Sequence, residues 1–431
     1  MLFFKNRSDR YDAFAKFEKA LSLPGGREDE AFALITAAAS EVVTEAERYS
    51  LKGDLWEAFF ALLLAEDENP LGWTSELGDA PLGSLVNIAS EELWCLHGTV
   101  AALRALIRQN EQFRHLRSLE DYIPSKGGIP FLQPAGVRDE ALSALFRLSA
   151  AFKEAGSPEE MYNALVFFYR SCGSGLYALN RAFRWSRERG LTPVKDLDPL
   201  ALISLVGYEA QKKELLDNTE LFLSGRAANN VLLFGDSGTG KSSSVRALLN
   251  EPGFVGRGLR VIEVHKDQFT DIPEILDAVR FRNYRFVIFM DDLSFEEFET
   301  DYKHLKAIIE GGIEPKPENA VIYATSNRRN IVREIWTDRK KSSDDVHGGD
   351  TMQEKLSLAD RFGITIWYGS VGKKEYMEIV RALTEESGLS MDSAELEKLA
   401  MRWELEKGSF TGRTARQFVQ RLLIGNVELQ R

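Results

Sequence analysis

Residues 230–242 read NVLLFGDSGTGKS. The run fits G-x-x-x-x-G-K-[ST], with an apolar, strand-like stretch before it and the helix-forming stretch KSSSVRALLN after it. Glycine at 235, 238 and 240 lets the backbone turn its N–H groups inward around a polyphosphate. The helix that follows then aims its positive N-terminal end at the same anion. In this reading Gly235, Asp236, Ser237, Gly238, Thr239, Gly240, Lys241, Ser242 and Ser243 form one anion cradle. Lys241 neutralises the β- and γ-phosphates, and the Ser242 hydroxyl holds Mg²⁺. The spacing predicts a nucleotide site.

Outward from the loop, apolar β-rich runs recur at RVIEV (260–264), RFVIFM (285–290), AVIYAT (320–325) and ITIWY (364–368), with helix-like segments between them. Together with NVLLF (230–234) they predict a parallel five-stranded sheet with helices on both faces, because strands buried on both sides read as near-continuous apolar runs. RFVIFM ends in Asp291-Asp292. An apolar strand that delivers an acidic pair opposite a phosphate loop is a Walker B arrangement. Asp291 would hold Mg²⁺ through water, and Asp292 would orient or deprotonate the attacking water. Glu296, one helical turn on, is an alternative source of that second carboxylate. The next strand ends in TSNRRN (325–330), where Asn327 stands between the phosphate loop and the acidic strand, placed to hold the water or to sense the γ-phosphate. The polar segment 338–355 reads as a loop, and after Gly372 the periodicity is helical to the end.

These parts in this order resemble the AAA+ ATPases over about residues 200–431. LVGYEAQ (205–211) is similar to the segment that cradles adenine, which assigns Val206 and Gly207 to ATP. SLADRFGI (357–364) is similar to the arginine-finger segment, so the resemblance makes Arg361 the group reaching into a neighbouring subunit's site. TGRTARQF (411–418) is similar to the start of the last lid helix, with Arg413 as the sensor-2 arginine and Arg416 as its alternate. Within this class GDSGTGKSS, DDLSFEEFE, YATSNRRN and KLSLADRFG together resemble a bacterial family of AAA+ ATP-binding proteins, domain of unknown function 815. LYALNRAFRW (176–185) resembles part of a helical N-terminal region that its members share. The resemblance implies an ATPase using ATP and Mg²⁺, acting as a homo-oligomeric ring or arc on a protein client. One departure stands out. Many AAA+ motors end the acidic strand in Asp-Glu, whereas this chain has Asp-Asp, which is also the pattern of the initiator and helicase-loader branch. A carboxylate one methylene shorter implies weak hydrolysis or a switch-like role.

At 431 residues the chain exceeds the size at which a single core keeps growing. It divides into an α-helical N-terminal domain (1–198), a large α/β ATP-binding subdomain (199–370) and a small helical lid (371–431). Helical periodicity fills the first part, as in DLWEAFFALLLAEDE (54–68) and SEELWCLHGTVAALRALIRQNEQF (90–113), and strand signals begin only after Pro199. The aromatic stretch at Trp56 reads as core, Cys95 and Cys172 both read as buried small apolar residues, and the glycines after Cys172 read as a turn between helices. The five histidines have no metal-ligand spacing. A net charge of −12 argues against coating nucleic acid by bulk electrostatics. A DNA-linked loader is therefore a less favoured alternative, beside a nucleotide-gated scaffold with incidental turnover. With no apolar run long enough for a bilayer and no signal-peptide pattern at the start, the expected location is cytoplasmic and no membrane partner is expected.

Overall fold

The computed structural model describes residues 11–24, 26–78, 83–125, 139–194, 197–293, 316–327 and 362–429. Glu296, Arg361 and the segment 338–355 lie outside the described residues. The chain divides into two compact units, residues 1–183 with 192–197 and residues 184–191 with 198–431.

The first unit is built from helices α1 Tyr11–Ser22, α2 Glu28–Tyr49, α3 Leu55–Ala65, α4 Pro70–Glu76, α5 Ser84–Gln109, α6 Asp139–Glu154, α7 Pro158–Cys172 and the short α8 Leu176–Leu179. Helix α3, LWEAFFALLLA, is buried at every position. A helix apolar all round has no solvent face to offer and becomes the centre of its bundle. Its single acid, Glu57, stays buried because Arg104 lies 2.9 Å and His97 3.4 Å from its carboxylate, as a buried charge requires. The breaks between helices are set by local chemistry. Asn69 and Ser157 accept the N–H groups of Gly72 and Glu160 as N-caps, each with proline at the first helical position. Gly173, at φ 87°, ends α7, so the glycines after Cys172 do form an interhelical turn. One expectation fails here: Cys172 is buried, but Cys95 is exposed. The buried stripe of α5 runs through Leu93, Leu96, Val100 and Leu103, and position 95 falls off that face.

The second unit carries strands β3 Val231–Gly235, β4 Leu259–Val264, β5 Arg285–Met290, β6 Ala320–Ser326 and β7 Ile364–Tyr368, at or within a residue or so of the five apolar runs. A hairpin, β1 Ala182–Ser186 and β2 Gly190–Pro193, extends the sheet to seven strands in the order β2-β1-β4-β5-β6-β3-β7. Strand structure thus begins before Pro199, contrary to the sequence reading. Both extra strands are short and only partly buried, so they lack the apolar runs that mark the interior strands. Main-chain hydrogen bonds join them to the sheet, and β1 and the turn after it add side-chain pairs: Arg184 to Glu263 at 2.9 Å, Arg187 to Asp271 at 2.7 Å, and Gln268 donating to the Trp185 carbonyl at 2.9 Å. The pairings β3–β6, β3–β7, β4–β5 and β5–β6 are all parallel, and β6 lies between β5 and β3. Between these strands run helices α9 Glu209–Leu223, α10 Lys241–Ala247 and α11 Ile272–Val279.

After β7 come α12 Lys373–Glu386, α13 Ser393–Lys407 and α14 Gly412–Leu429. They close on a small core that includes Tyr376, Val380, Leu396, Ala400, Ala415 and Phe418. Asp392 caps α13 by accepting from the N–H groups of Ala394 and Glu395, and Gly408, at φ 73°, ends it. Among the described residues no helix is long and apolar enough to cross a membrane.

Candidate nucleotide site

Parallel strands end on one edge of a sheet, and that edge is where such folds place ligands. The register is decisive. Met290 pairs with Ala324, which sets Asp291 beside Thr325, while Phe234 pairs with Ser326 and Gly235 with Tyr368. The start of the glycine loop, the acidic pair and the end of β6 therefore share one rim.

The loop needs its glycines for different reasons. At Gly235 (φ 134°) a Cβ would lie 2.1 Å from the Tyr368 carbonyl oxygen. Gly238 (φ 80°) approaches the Arg413 Cβ so closely that a Cβ of its own would sit at 2.8 Å. Lys241 opens α10, only 4% exposed, with its ammonium donating to the carbonyls of Gly235 (3.2 Å) and Asp236 (2.6 Å). Burial pulls its pKa down to about 8, against the opposing charges of Asp236, Asp291 and Asp292.

Asp291 is the hub of the rim. Its Oδ1 accepts from the hydroxyls of Ser242 and Thr325, each at 2.6 Å, and its Oδ2 lies 3.0 Å from Arg246. Ser242 and Arg246 are four residues apart on α10, so one helix face presents both to Asp291. Arg246 also pairs with Glu263 at 3.1 Å, the carboxylate that holds Arg184 of the hairpin. Asp292 takes a left-handed backbone, φ 57°, a conformation aspartate tolerates better than most residues. Its N–H donates to the Thr325 hydroxyl at 2.9 Å, Asn327 donates to its Oδ1 at 2.6 Å, and Lys266 lies 3.8 Å from Oδ2.

A cleft of about 520 Å³ opens over these groups, within the range of small-molecule sites. Gly238, Thr239, Gly240, Lys241, Ser242 and Ser243 line it, with Val206, Gly207, Asp291, Asp292 and Asn327, and helices α12 and α14 contribute Ile379, Leu383, Arg413 and Arg416. Gly235, Asp236 and Ser237 form the loop behind that lining. Arg413 reaches the Ser237 hydroxyl at 3.2 Å. Tyr208 turns its phenol onto the Gly369 carbonyl (2.6 Å) and packs its ring 4.9 Å from that of Tyr368, and burial raises its pKa.

The adjacent Ser242 hydroxyl and Asp291 carboxylate are hard oxygen donors of the kind Mg²⁺ takes. Among the described residues no group of three or more His, Cys, Asp or Glu could cage a metal by itself. Thr325, Arg246, Lys266 and Tyr208 escape the motif reading. A threonine at the end of an otherwise apolar strand, and an arginine one turn after the loop serine, are the signals that could have found the first two.

None of the curated proteins matches the chain. Solved structures of the Thermotoga maritima RuvB Holliday junction branch migration motor are similar at 19% identity, over 53% of this chain and 66% of RuvB, with a TM-score of 0.38. One RuvB variant gives 20% identity over the same shares at a TM-score of 0.39, and another 20% over 54% and 68% at 0.38. The chain thus spans just under two thirds of the first of these RuvB chains. The family described as "Protein of unknown function (DUF815)" matches residues 178–426, more than half the chain. That match takes in the glycine loop, the parallel strands whose rim carries it and the three helices that follow β7, and by it the chain belongs to this DUF815 family.

Proposed function

We propose that the protein binds ATP with Mg²⁺ and hydrolyses it, coupling the cycle to remodelling or assembly of a protein partner. The observation that carries this reading is the Ser242–Asp291 contact at 2.6 Å in the same cleft as the buried Lys241 ammonium. Lys241 and the loop amides hold the triphosphate, while Ser242 and Asp291 hold Mg²⁺. When bound, that ion neutralises charge developing on the phosphate oxygens. Asn327 fixes the Asp292 carboxylate, and together they orient the water. Val206 and Gly207 line the base end of the cleft, and Arg413 draws the lid onto the nucleotide. Arg361 completes the site of a neighbouring copy, so the active form is a homo-oligomer. Catalysis in such a site is positioning and charge neutralisation.

A nucleotide-gated switch with slow turnover is the second reading. It is favoured by the short Asp292 side chain, whose oxygens face Asn327 and Lys266. Calorimetric titration with MgATP tests the shared first step: wild type binds, and Lys241→Ala loses binding while its melting curve stays cooperative. Equal binding by the variant would refute the site. Single-turnover hydrolysis then separates ATPase from switch.

A further inference from the structure

Three consecutive residues of the phosphate loop are tied to the lid end of the chain, and the first of them is an acid. The Asp236 Oδ2 accepts hydrogen bonds from the Ser370 N–H at 2.9 Å and from the Ser370 hydroxyl. Next to it, the Ser237 hydroxyl meets the Arg413 guanidinium at 3.2 Å, and the Gly238 carbonyl accepts the Arg413 N–H at 3.1 Å. Ser370 lies in the link between β7 and α12, and Arg413 lies at the start of α14. The link into the lid and the start of its last helix therefore both grip the front half of the loop. The link is itself held in place: Asp236 N–H donates to the Tyr368 carbonyl at 2.9 Å, Tyr208 to Gly369 and Gln211 to the Trp367 carbonyl at 3.0 Å.

A carboxylate in a loop that must receive a polyphosphate is an electrostatic liability. Like charges repel strongly where water is excluded, and a carboxylate free to turn inward would also compete with phosphate for the Lys241 ammonium. Here two donors on one residue draw the Asp236 charge outward onto the link, and hydrogen bonds to an ionised acceptor are the strong ones. Resting on the nucleotide reading above, we propose that Ser370 is a positioning residue for triphosphate binding. It parks the Asp236 carboxylate away from the phosphates and makes the shape of the loop depend on the lid hinge.

The test is calorimetric titration of the full chain with MgATP at low and at high ionic strength. Ser370→Ala raises Kd about tenfold at low salt, which is about 1.4 kcal/mol, and the penalty shrinks at high salt because its origin is charge. Asp236→Asn binds about threefold more tightly than wild type, since a like charge is gone. The double variant Ser370→Ala/Asp236→Asn then matches Asp236→Asn alone, because no carboxylate remains to be parked. Ser370→Thr, which keeps the hydroxyl, binds like wild type, while the near-isosteric Ser370→Val behaves as Ser370→Ala; this pair serves if the alanine variant folds poorly. A double variant as weak as Ser370→Ala, or a penalty independent of salt, would mean that Ser370 acts through hinge geometry alone and would overturn the proposal. So would wild-type affinity in Ser370→Ala. Failure of the nucleotide reading itself looks different, because the wild-type protein would then give no binding heat.

Discussion

Lys241 sets a pH dependence whose size follows from its surroundings. Burial pulls the ammonium from an ordinary value of 10.5 down to about 8; Asp236, Asp291 and Asp292 oppose the shift and Arg413 adds to it. A bound triphosphate requires the charged form and holds it charged. The apparent Kd for MgATP therefore grows with the neutral fraction of the free protein, by a factor of about 1.1 at pH 7 and about 11 at pH 9. Affinity falls about tenfold across that interval, and at pH 8 binding takes up about half a proton. Calorimetry at pH 7, 8 and 9, repeated in buffers of different ionisation enthalpy, reads both quantities. The same shift fixes the sign for stability. Between pH 8 and 10.5 the unfolded chain binds more protons at this lysine than the folded one, so the nucleotide-free protein gains stability from this residue as pH rises through that window. Below pH 8 both states are protonated and the contribution to the slope vanishes. Affinity that stays flat from pH 7 to 9 without proton uptake would refute the reasoning. An identical slope in Lys241→Arg would do the same, since guanidinium does not titrate there.

Other groups give sharper single-residue outcomes. Asp292→Asn should keep MgATP binding and lose about 10²–10⁴ in single-turnover hydrolysis; undiminished hydrolysis would remove Asp292 and promote Glu296. Arg361→Ala should keep affinity and lose about 10³ in turnover, with partial rescue on mixing with Lys241→Ala, whose subunits still offer the finger. A wild-type rate at every protein concentration that spans assembly would rule out a trans role. Arg246→Ala frees one oxygen of Asp291 and should raise the Mg²⁺ concentration for half-maximal nucleotide binding about tenfold, and an unchanged Mg²⁺ titration would show that the 3.0 Å pair does not orient the ligand.

The interior strands and the glycine loop were legible because their signals are local. A strand covered on both faces is an apolar run such as RFVIFM or AVIYAT, and the loop must have glycine at 235, 238 and 240, where φ is positive. Spacing singled out Lys241, Ser242 and Asp291 for the same reason, and the fold brings the three into one cleft; α3 was legible from an apolar pattern unbroken but for Glu57. The edge hairpin was not, because its strands are short and half-buried and carry little apolar pattern. Cys95 was misjudged because a one-residue step around a helix is enough to leave the buried face. Tertiary structure alone decided which residues share the rim. Strand order sets β6 between β5 and β3, and parallel register puts Thr325 against Asp291. Likewise Asp236 meets Ser370 across 134 positions of chain only because β3 and β7 are neighbours in the sheet. Periodicity and spacing report what a residue needs from its own element; which distant residue supplies it depends on how the elements pack.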